Sequence, residues 1–265
     1  MQRWNLNRIC KVDEINSFGP GGFNIIAGPC SIEDYDSLYQ SASVLKNLGI
    51  RYLRGGAYKL RTSVHSFRGL GDSGIVHLAG VGKELGLKTV SECTQTDKVE
   101  YMAQYIDVLA VGTRNMYNYP LLELMGKIDK PVILKRGLAA TYDEWMAATE
   151  YIIENGNDRI VLCERGIRTF ETGTRYTLDI SAIRVMQQKS GLPVIIDPSH
   201  ASGNRDLVPS LAFAAIAAGA DGLMIECSVN PGECICDAEQ TISPETLKTI
   251  MNAVPELRLH LNGIK

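Results

Sequence analysis

No stretch of this chain approaches the roughly 18 consecutive apolar residues of a membrane-spanning helix, so no such span is expected. Net positive charge is missing too. Lys and Arg number 27 against 30 Asp and Glu, a formal net charge of −3. Nothing therefore favours nucleic acid, and any basic surface must be local. The polar start, Met1-Gln2-Arg3-Trp4-Asn5, lacks the apolar core of a secretory signal. Cysteine lacks the even count and regular spacing of a disulfide framework. The seven are Cys10, Cys30, Cys93, Cys163, Cys227, Cys234 and Cys236, and several sit inside apolar runs, as buried thiols do. A reducing, cytoplasmic setting is the expectation. No linker or low-complexity tract marks a second domain. With 265 residues, 45% hydrophobic and 22% charged, the chain can build one ordinary core. Its length suits a single α/β barrel, typically about 250 residues.

Eight short apolar runs are present, and each ends in residues that bind anions, metals or protons. Phe23–Ala27 leads to Cys30, and Ile50–Leu53 leads to Arg54 and Lys59. Lys88–Val90 leads to Glu92, Val108–Val111 to Arg114, and Pro131–Leu134 to Lys135. Ile160–Cys163 leads to Glu164 and Arg165, Pro193–Ile196 to Asp197 and His200, and Leu223–Ile225 to Glu226. Runs of four to six residues rich in Ile, Val and Leu suit strands buried on both faces of a parallel sheet. Helical segments separate them, several closed by glycine at 49, 86, 191 and 219. Thr141 and Glu144 form a capping box. Ser243 before Pro244 is a good start for the last helix. A helix is also expected over Arg175–Ser190. The fold class expected is α/β, a (β/α)8 barrel with a short N-terminal extension over 1–22 forming a hairpin or cap. A doubly wound open sheet is the alternative. The expected organisation is one catalytic domain over 1–265 without a regulatory domain.

In a barrel the carboxyl ends of all eight strands meet on one face. Cys30, His200, Glu226 and Asp237 would then bring a thiolate, an imidazole and two carboxylates together, a set suited to Mn, Fe, Co or Zn as a divalent ion. Cys234 and Cys236 are a competing thiolate pair. Arg54, Lys59, Arg61, Arg114, Lys135, Arg136 and Arg165 would ring the same mouth. So many cations in an acidic protein call for a strongly anionic small-molecule substrate, since arginine forks suit phosphate and carboxylate oxygens. Two or three of them are expected to pair instead with Glu92, Glu164, Asp197 or Glu226.

The motifs Gly28-Pro29-Cys30-Ser31-Ile32-Glu33, Arg54-Gly55-Gly56-Ala57-Tyr58-Lys59-Leu60-Arg61-Thr62-Ser63 and Gly69-Leu70-Gly71 are more specific. With them come Arg114-Asn115-Met116, Leu134-Lys135-Arg136-Gly137, Cys163-Glu164-Arg165-Gly166-Ile167-Arg168-Thr169-Phe170-Glu171 and Asp197-Pro198-Ser199-His200-Ala201. Together, from about Phe23 to Thr241, they resemble 3-deoxy-D-arabino-heptulosonate 7-phosphate (DAHP) synthase of the type I-beta branch. That branch is related to 3-deoxy-octulosonate 8-phosphate synthase. The resemblance implies a barrel enzyme joining phosphoenolpyruvate to erythrose 4-phosphate with release of phosphate, the entry step of the shikimate pathway of aromatic biosynthesis. It implies metal ligands at Cys30, His200, Glu226 and Asp237. It puts phosphoenolpyruvate contacts at Arg54, Lys59, Glu92, Arg114, Lys135 and Arg165, and acceptor-phosphate contacts over Lys59–Ser63, including Arg61, Thr62 and Ser63. Lys59, Glu92, Cys30 and His200 are the expected catalytic residues, and a homo-oligomer, dimer or tetramer, is implied.

Two positions depart from the family pattern. Leu60 stands where Lys-Pro-Arg-Thr-Ser has proline, which would fix the backbone before the arginine. Cys227-Ser228-Val229 follows Glu226 where the family reads Val-His-Pro. Donor and metal chemistry are left intact, and the aldehyde acceptor is the open question. Three other readings remain: the same chemistry on another aldose phosphate, a Schiff-base aldolase using Lys135, and a barrel kept only as a binding partner.

Overall fold

The computed structural model describes Phe18 and residues 22–61, 63, 65–259 and 261. Eight parallel strands close into a barrel in chain order: β1 (Asn24–Gly28), β2 (Tyr52–Arg54), β3 (Lys88–Cys93), β4 (Val108–Val111), β5 (Val132–Lys135), β6 (Ile160–Glu164), β7 (Val194–Ile196) and β8 (Gly222–Glu226). Closure comes from β1 pairing with β8, Ile26 opposite Met224 and Gly28 opposite Glu226. This excludes the open doubly wound sheet. Apart from Asn24, Lys88 and Glu92 the strand residues are buried, as parallel strands covered by helices must be.

The helices are α1 (Tyr35–Asn47), α2 (Asp72–Leu85), α3 (Val99–Tyr105), α4 (Tyr119–Lys127), α5 (Tyr142–Glu154), α6 (Ser181–Ser190), α7 (Pro198–Ser202), α8 (Val208–Ala217) and α9 (Pro244–Leu259). The capping box at the start of α5 forms as expected: the Thr141 hydroxyl accepts from the Glu144 amide, and Glu144 accepts from the Thr141 amide. Helix α1 begins later than Ser31 because Asp34 caps it, accepting from the Ser37 amide. Helix α6 does not start at Arg175. Thr177 bridges instead to Ile167 of the β6 loop, so residues 175–180 run as a strap before the helix. Gly191 closes α6 in the left-handed region, φ 68°.

Side chains alternate across each strand, and this alternation builds the site. One set of inward residues, Ile26, Tyr52, Val90, Ala110, Ile133, Val161, Ile195 and Met224, forms an apolar plug with Phe18 beneath Tyr52. The next inward position on β2, β3, β5 and β8 is Arg54, Glu92, Lys135 and Glu226. Two residues on from Ile195 comes Asp197. A charged layer thus rests on a dry one. Of the expected extension over 1–22, only Phe18 and Gly22 fall within the described residues, so a hairpin or cap there lies outside them.

Candidate metal and anion site

Four of the residues selected from sequence converge at the top of β1, β7 and β8. One donor atom each from Cys30, His200, Glu226 and Asp237 lies within 4.8 Å of the others, and no other such group occurs among the described residues. Cys30 Sγ donates to Asp237 Oδ2 at 3.0 Å. His200 Nε2 is 3.3 Å from Glu226 Oε1. The opposite ring nitrogen, Nδ1, is 2.7 Å from Asp197 Oδ2. A carboxylate behind an imidazole in this way fixes the ring and leaves Nε2 to face the centre. Asp197 also accepts from the His200 amide as the N-cap of α7. Glu226 is held by Arg54 at 3.0 Å and Gln240 at 2.6 Å. Asp237 adopts φ 52°, an unusual left-handed conformation for a non-glycine residue and a local strain of the kind that clusters at functional sites.

The titration behaviour follows from burial and neighbours. Burial lowers His200 and outweighs Asp197 and Glu226, which would raise it, and a lowered value favours the form whose nitrogen can bind a metal. Burial would raise Asp197, Glu226 and Asp237, but each is held down. His200 and Lys135 hold Asp197 well below the carboxylate range. Glu226 is lowered by His200, Arg54 and Lys59. Asp237 comes to about 2 through the Cys30 hydrogen bond, His200 and Arg175. The hydrogen bond between the thiols of Cys30 and Cys236 pushes Cys30 well up, with burial adding, and brings Cys236 down to about 6. Sulfur, nitrogen and two ionised oxygens at this separation fit a borderline divalent ion. Cys234 and Cys236 do not form the competing chelate. Cys234 turns to the Asn230 carbonyl, while Cys236 faces Cys30.

Beside this centre opens a cleft of about 260 Å³ lined by Lys59, Leu60, Arg61, Ser63, Glu92, Arg114, Lys135, Arg165, Arg175, His200 and Asp237, among others. Lys59 Nζ lies 2.9 Å from Cys30 Sγ, joining the two halves. Arg54 and Lys135 are 7% and 5% exposed and pair with Glu226 and Asp197, each at 3.0 Å. Arg61 reaches Asp237 at 3.8 Å. One guanidinium nitrogen of Arg54 and one of Arg165 are buried with no hydrogen-bond partner. A buried unsatisfied donor costs about 1–3 kcal/mol or more, so both nitrogens call for an anion. Glu92 is fixed by Gly112, where a Cβ would collide with the Glu92 carboxylate. Thr62 lies outside the described residues.

Arg136 is a correction. It follows Lys135 by one residue and so points out of the barrel, where it binds Glu164 at 2.9 Å, Asp179 at 2.8 Å and the Ala140 carbonyl at 3.0 Å. It holds the helix layer, not the mouth. Strand alternation is the signal that separates Arg136 from Lys135. Arg175 and Gln240 were not assigned site roles from sequence, whereas Asp197, expected as an ion-pair partner of the mouth cations, pairs with Lys135 and also backs His200. Asp197 was legible, since Asp-Pro-x-His reads as an N-cap three residues before the histidine. Arg175 sits on the strap mistaken for helix, and Gln240 lies in a loop without pattern. Lys135 as a Schiff-base nucleophile is disfavoured, because attack on a carbonyl would break its buried pair with Asp197.

The model of the DAHP synthetase I family matches residues 13–262. A phospho-2-dehydro-3-deoxyheptonate aldolase of Thermotoga maritima is 45% identical over 239 residues, covering 90% of this chain and 71% of that protein. A 2-dehydro-3-deoxyphosphooctonate aldolase of Desulfosudis oleivorans is 31% identical over 265 residues, covering 93% and 94%. The crystal structure of the Thermotoga DAHP synthase superposes with a TM-score of 0.85 at 43% identity, covering 91% of this chain and 70% of that one. A truncated form of the Thermotoga enzyme gives 0.82 at 41%, covering 91% and 87%.

Proposed function

Because the chain belongs to the DAHP synthetase I family, we propose that it is a metal-dependent synthase joining phosphoenolpyruvate to erythrose 4-phosphate, releasing phosphate and forming DAHP for the shikimate pathway. Family membership supports the coarse reaction, condensation of phosphoenolpyruvate with an aldose phosphate. The observation that carries the donor assignment is the pair of buried, unpartnered guanidinium nitrogens on Arg54 and Arg165. Greater identity to the heptonate than to the octonate aldolase supports the four-carbon acceptor.

Arg54, Arg114, Lys135 and Arg165 hold the phosphate and carboxylate of the donor. Arg61, Thr62 and Ser63 hold the acceptor phosphate, and Leu60 shapes the apolar side of that pocket. Cys30, His200, Glu226 and Asp237 would hold a divalent ion, which when bound would supply Lewis-acid chemistry toward a carbonyl oxygen. The enol carbon of the donor bonds to the aldehyde carbon, and Lys59 Nζ gives a proton to the new alkoxide. Water adds at the donor carbon that bears the phosphate ester, with Glu92 taking its proton, and phosphate leaves to give the ketone. Orienting two polyanions is the main task, and fixed positioning supplies several kcal/mol, roughly, of barrier reduction.

The test is phosphate release from phosphoenolpyruvate with a panel of aldose phosphates in the presence of a divalent metal. Erythrose 4-phosphate is expected to give the highest kcat/KM. Preference for a five-carbon acceptor would reassign the substrate and leave the donor chemistry standing.

A further inference from the structure

The cations of the mouth are balanced in different ways. Arg54 and Lys135 each face a buried carboxylate, and Arg136 faces two. No described carboxylate pairs with Arg165, which is 7% exposed. Its guanidinium lies over the ring of Tyr176, 4.5 Å from the centroid, and Arg175 lies 5.9 Å from the same ring. An aromatic face attracts a cation through its quadrupole without cancelling the charge. A carboxylate in that place would occupy the N–H groups and offset the charge that an anionic substrate needs. The Arg165 nitrogen with no partner is on this guanidinium.

The backbone that carries the ring is tied to α7 and to the loop after β6. The Tyr176 amide donates to the Ala201 carbonyl at 2.8 Å, the Arg175 amide to Ser202 at 3.0 Å, and Thr177 and Ile167 exchange backbone hydrogen bonds at 3.0 and 2.9 Å. Gly166, φ 93°, lets the strap approach, since a Cβ there would stand 2.6 Å from Tyr176 Cβ. The strap is thereby tied to α7, which carries His200. The cleft is lined by Arg165 and Arg175, with Tyr176 behind them.

We propose that Tyr176 is a positioning residue: its ring holds the Arg165 guanidinium aimed at the donor phosphate without offsetting its charge. This rests on the assignment of phosphoenolpyruvate to the cleft. Loss of a grip that is equal in the ground state and the transition state raises KM for the donor and leaves kcat nearly unchanged.

The test is phosphoenolpyruvate binding by calorimetry at fixed ionic strength, with steady-state kinetics, for the wild type, Tyr176→Phe, Tyr176→Leu and Tyr176→Gln. Phe, which keeps the ring and loses the hydroxyl that also bonds Arg165, is expected to fall between the wild type and Leu. Leu and Gln are expected to weaken Kd and KM for phosphoenolpyruvate about five- to tenfold, with kcat within about twofold and KM for the acceptor unchanged. Two ring-free variants are used so that one that fails to fold still leaves the other. Wild-type affinity in a folded ring-free variant overturns the proposal. So does a loss in Tyr176→Phe as large as in Tyr176→Leu, or a change in acceptor KM instead of donor KM. A wild type that does not bind phosphoenolpyruvate overturns the donor assignment itself, a result distinct from these.

Discussion

At position 112 a methyl group would occupy the space of the Glu92 carboxylate. The backbone there is ordinary, φ −71°, so the glycine is required for room and not for conformation. Gly112→Ala is expected to leave the barrel folded and to lower turnover on the order of 10²-fold, as misplacing a reacting group by about 1 Å does. Steady-state kinetics beside a circular-dichroism melt will separate the two effects. Asp197 acts one step behind the metal centre. Asp197→Asn keeps the N-cap acceptor but removes the charge that orients His200 and pairs with Lys135. The expected outcome is a 10- to 100-fold loss, roughly, of divalent-metal affinity, measured by equilibrium dialysis or titration against a chromophoric chelator.

Among the elements, α5 and the β3–β4 edge offer clean tests. The capping box of α5 satisfies amides that would otherwise lack partners. Thr141→Ala is expected to cost about 1 kcal/mol of stability in denaturant unfolding, with kinetics unchanged. At the start of β4, Asp107 accepts from the Thr89 amide at 2.8 Å and the Thr89 hydroxyl at 2.9 Å, and Lys88 pairs with it at 3.1 Å. Burial would raise this carboxyl, but these partners win and lower it. A lowered folded-state value gives stability that is present above the unfolded value, roughly 3.9, and is lost as pH falls through the folded one. Asp107→Asn should therefore flatten the acid limb of the stability profile below about pH 4 and do little to its shape at neutral pH. An unchanged acid limb would count against it.

At the scale of the molecule, the barrel was legible because short apolar runs recur eight times, each ending at or just before a residue able to bind a metal, an anion or a proton. The metal set was legible because its members follow β1, β7 and β8, which closure makes neighbours. Arg136 was misplaced because a run of basic residues hides the two-residue alternation that sends Lys135 inward and Arg136 outward. Arg175 and Tyr176 were missed because backbone pairing of Thr177 with Ile167 overrode a helix-compatible stretch, a tertiary contact that local pattern does not encode. Among the described residues no helix is long and apolar enough to cross a membrane. The homo-oligomer that the family resemblance implies, dimer or tetramer, is read directly by light scattering.

The central claim is that one cleft joins an anion grip to a divalent-metal centre built on Cys30, His200, Glu226 and Asp237. The measurement that tests it most directly is phosphate release from phosphoenolpyruvate and erythrose 4-phosphate, before chelation, after it, and during back-titration with a divalent ion, in the wild type and in Cys30→Ser. The account predicts that chelation abolishes wild-type turnover, that about one ion per chain restores it, and that Cys30→Ser needs far more metal or does not recover. Full turnover by the chelated, metal-depleted wild type would contradict it.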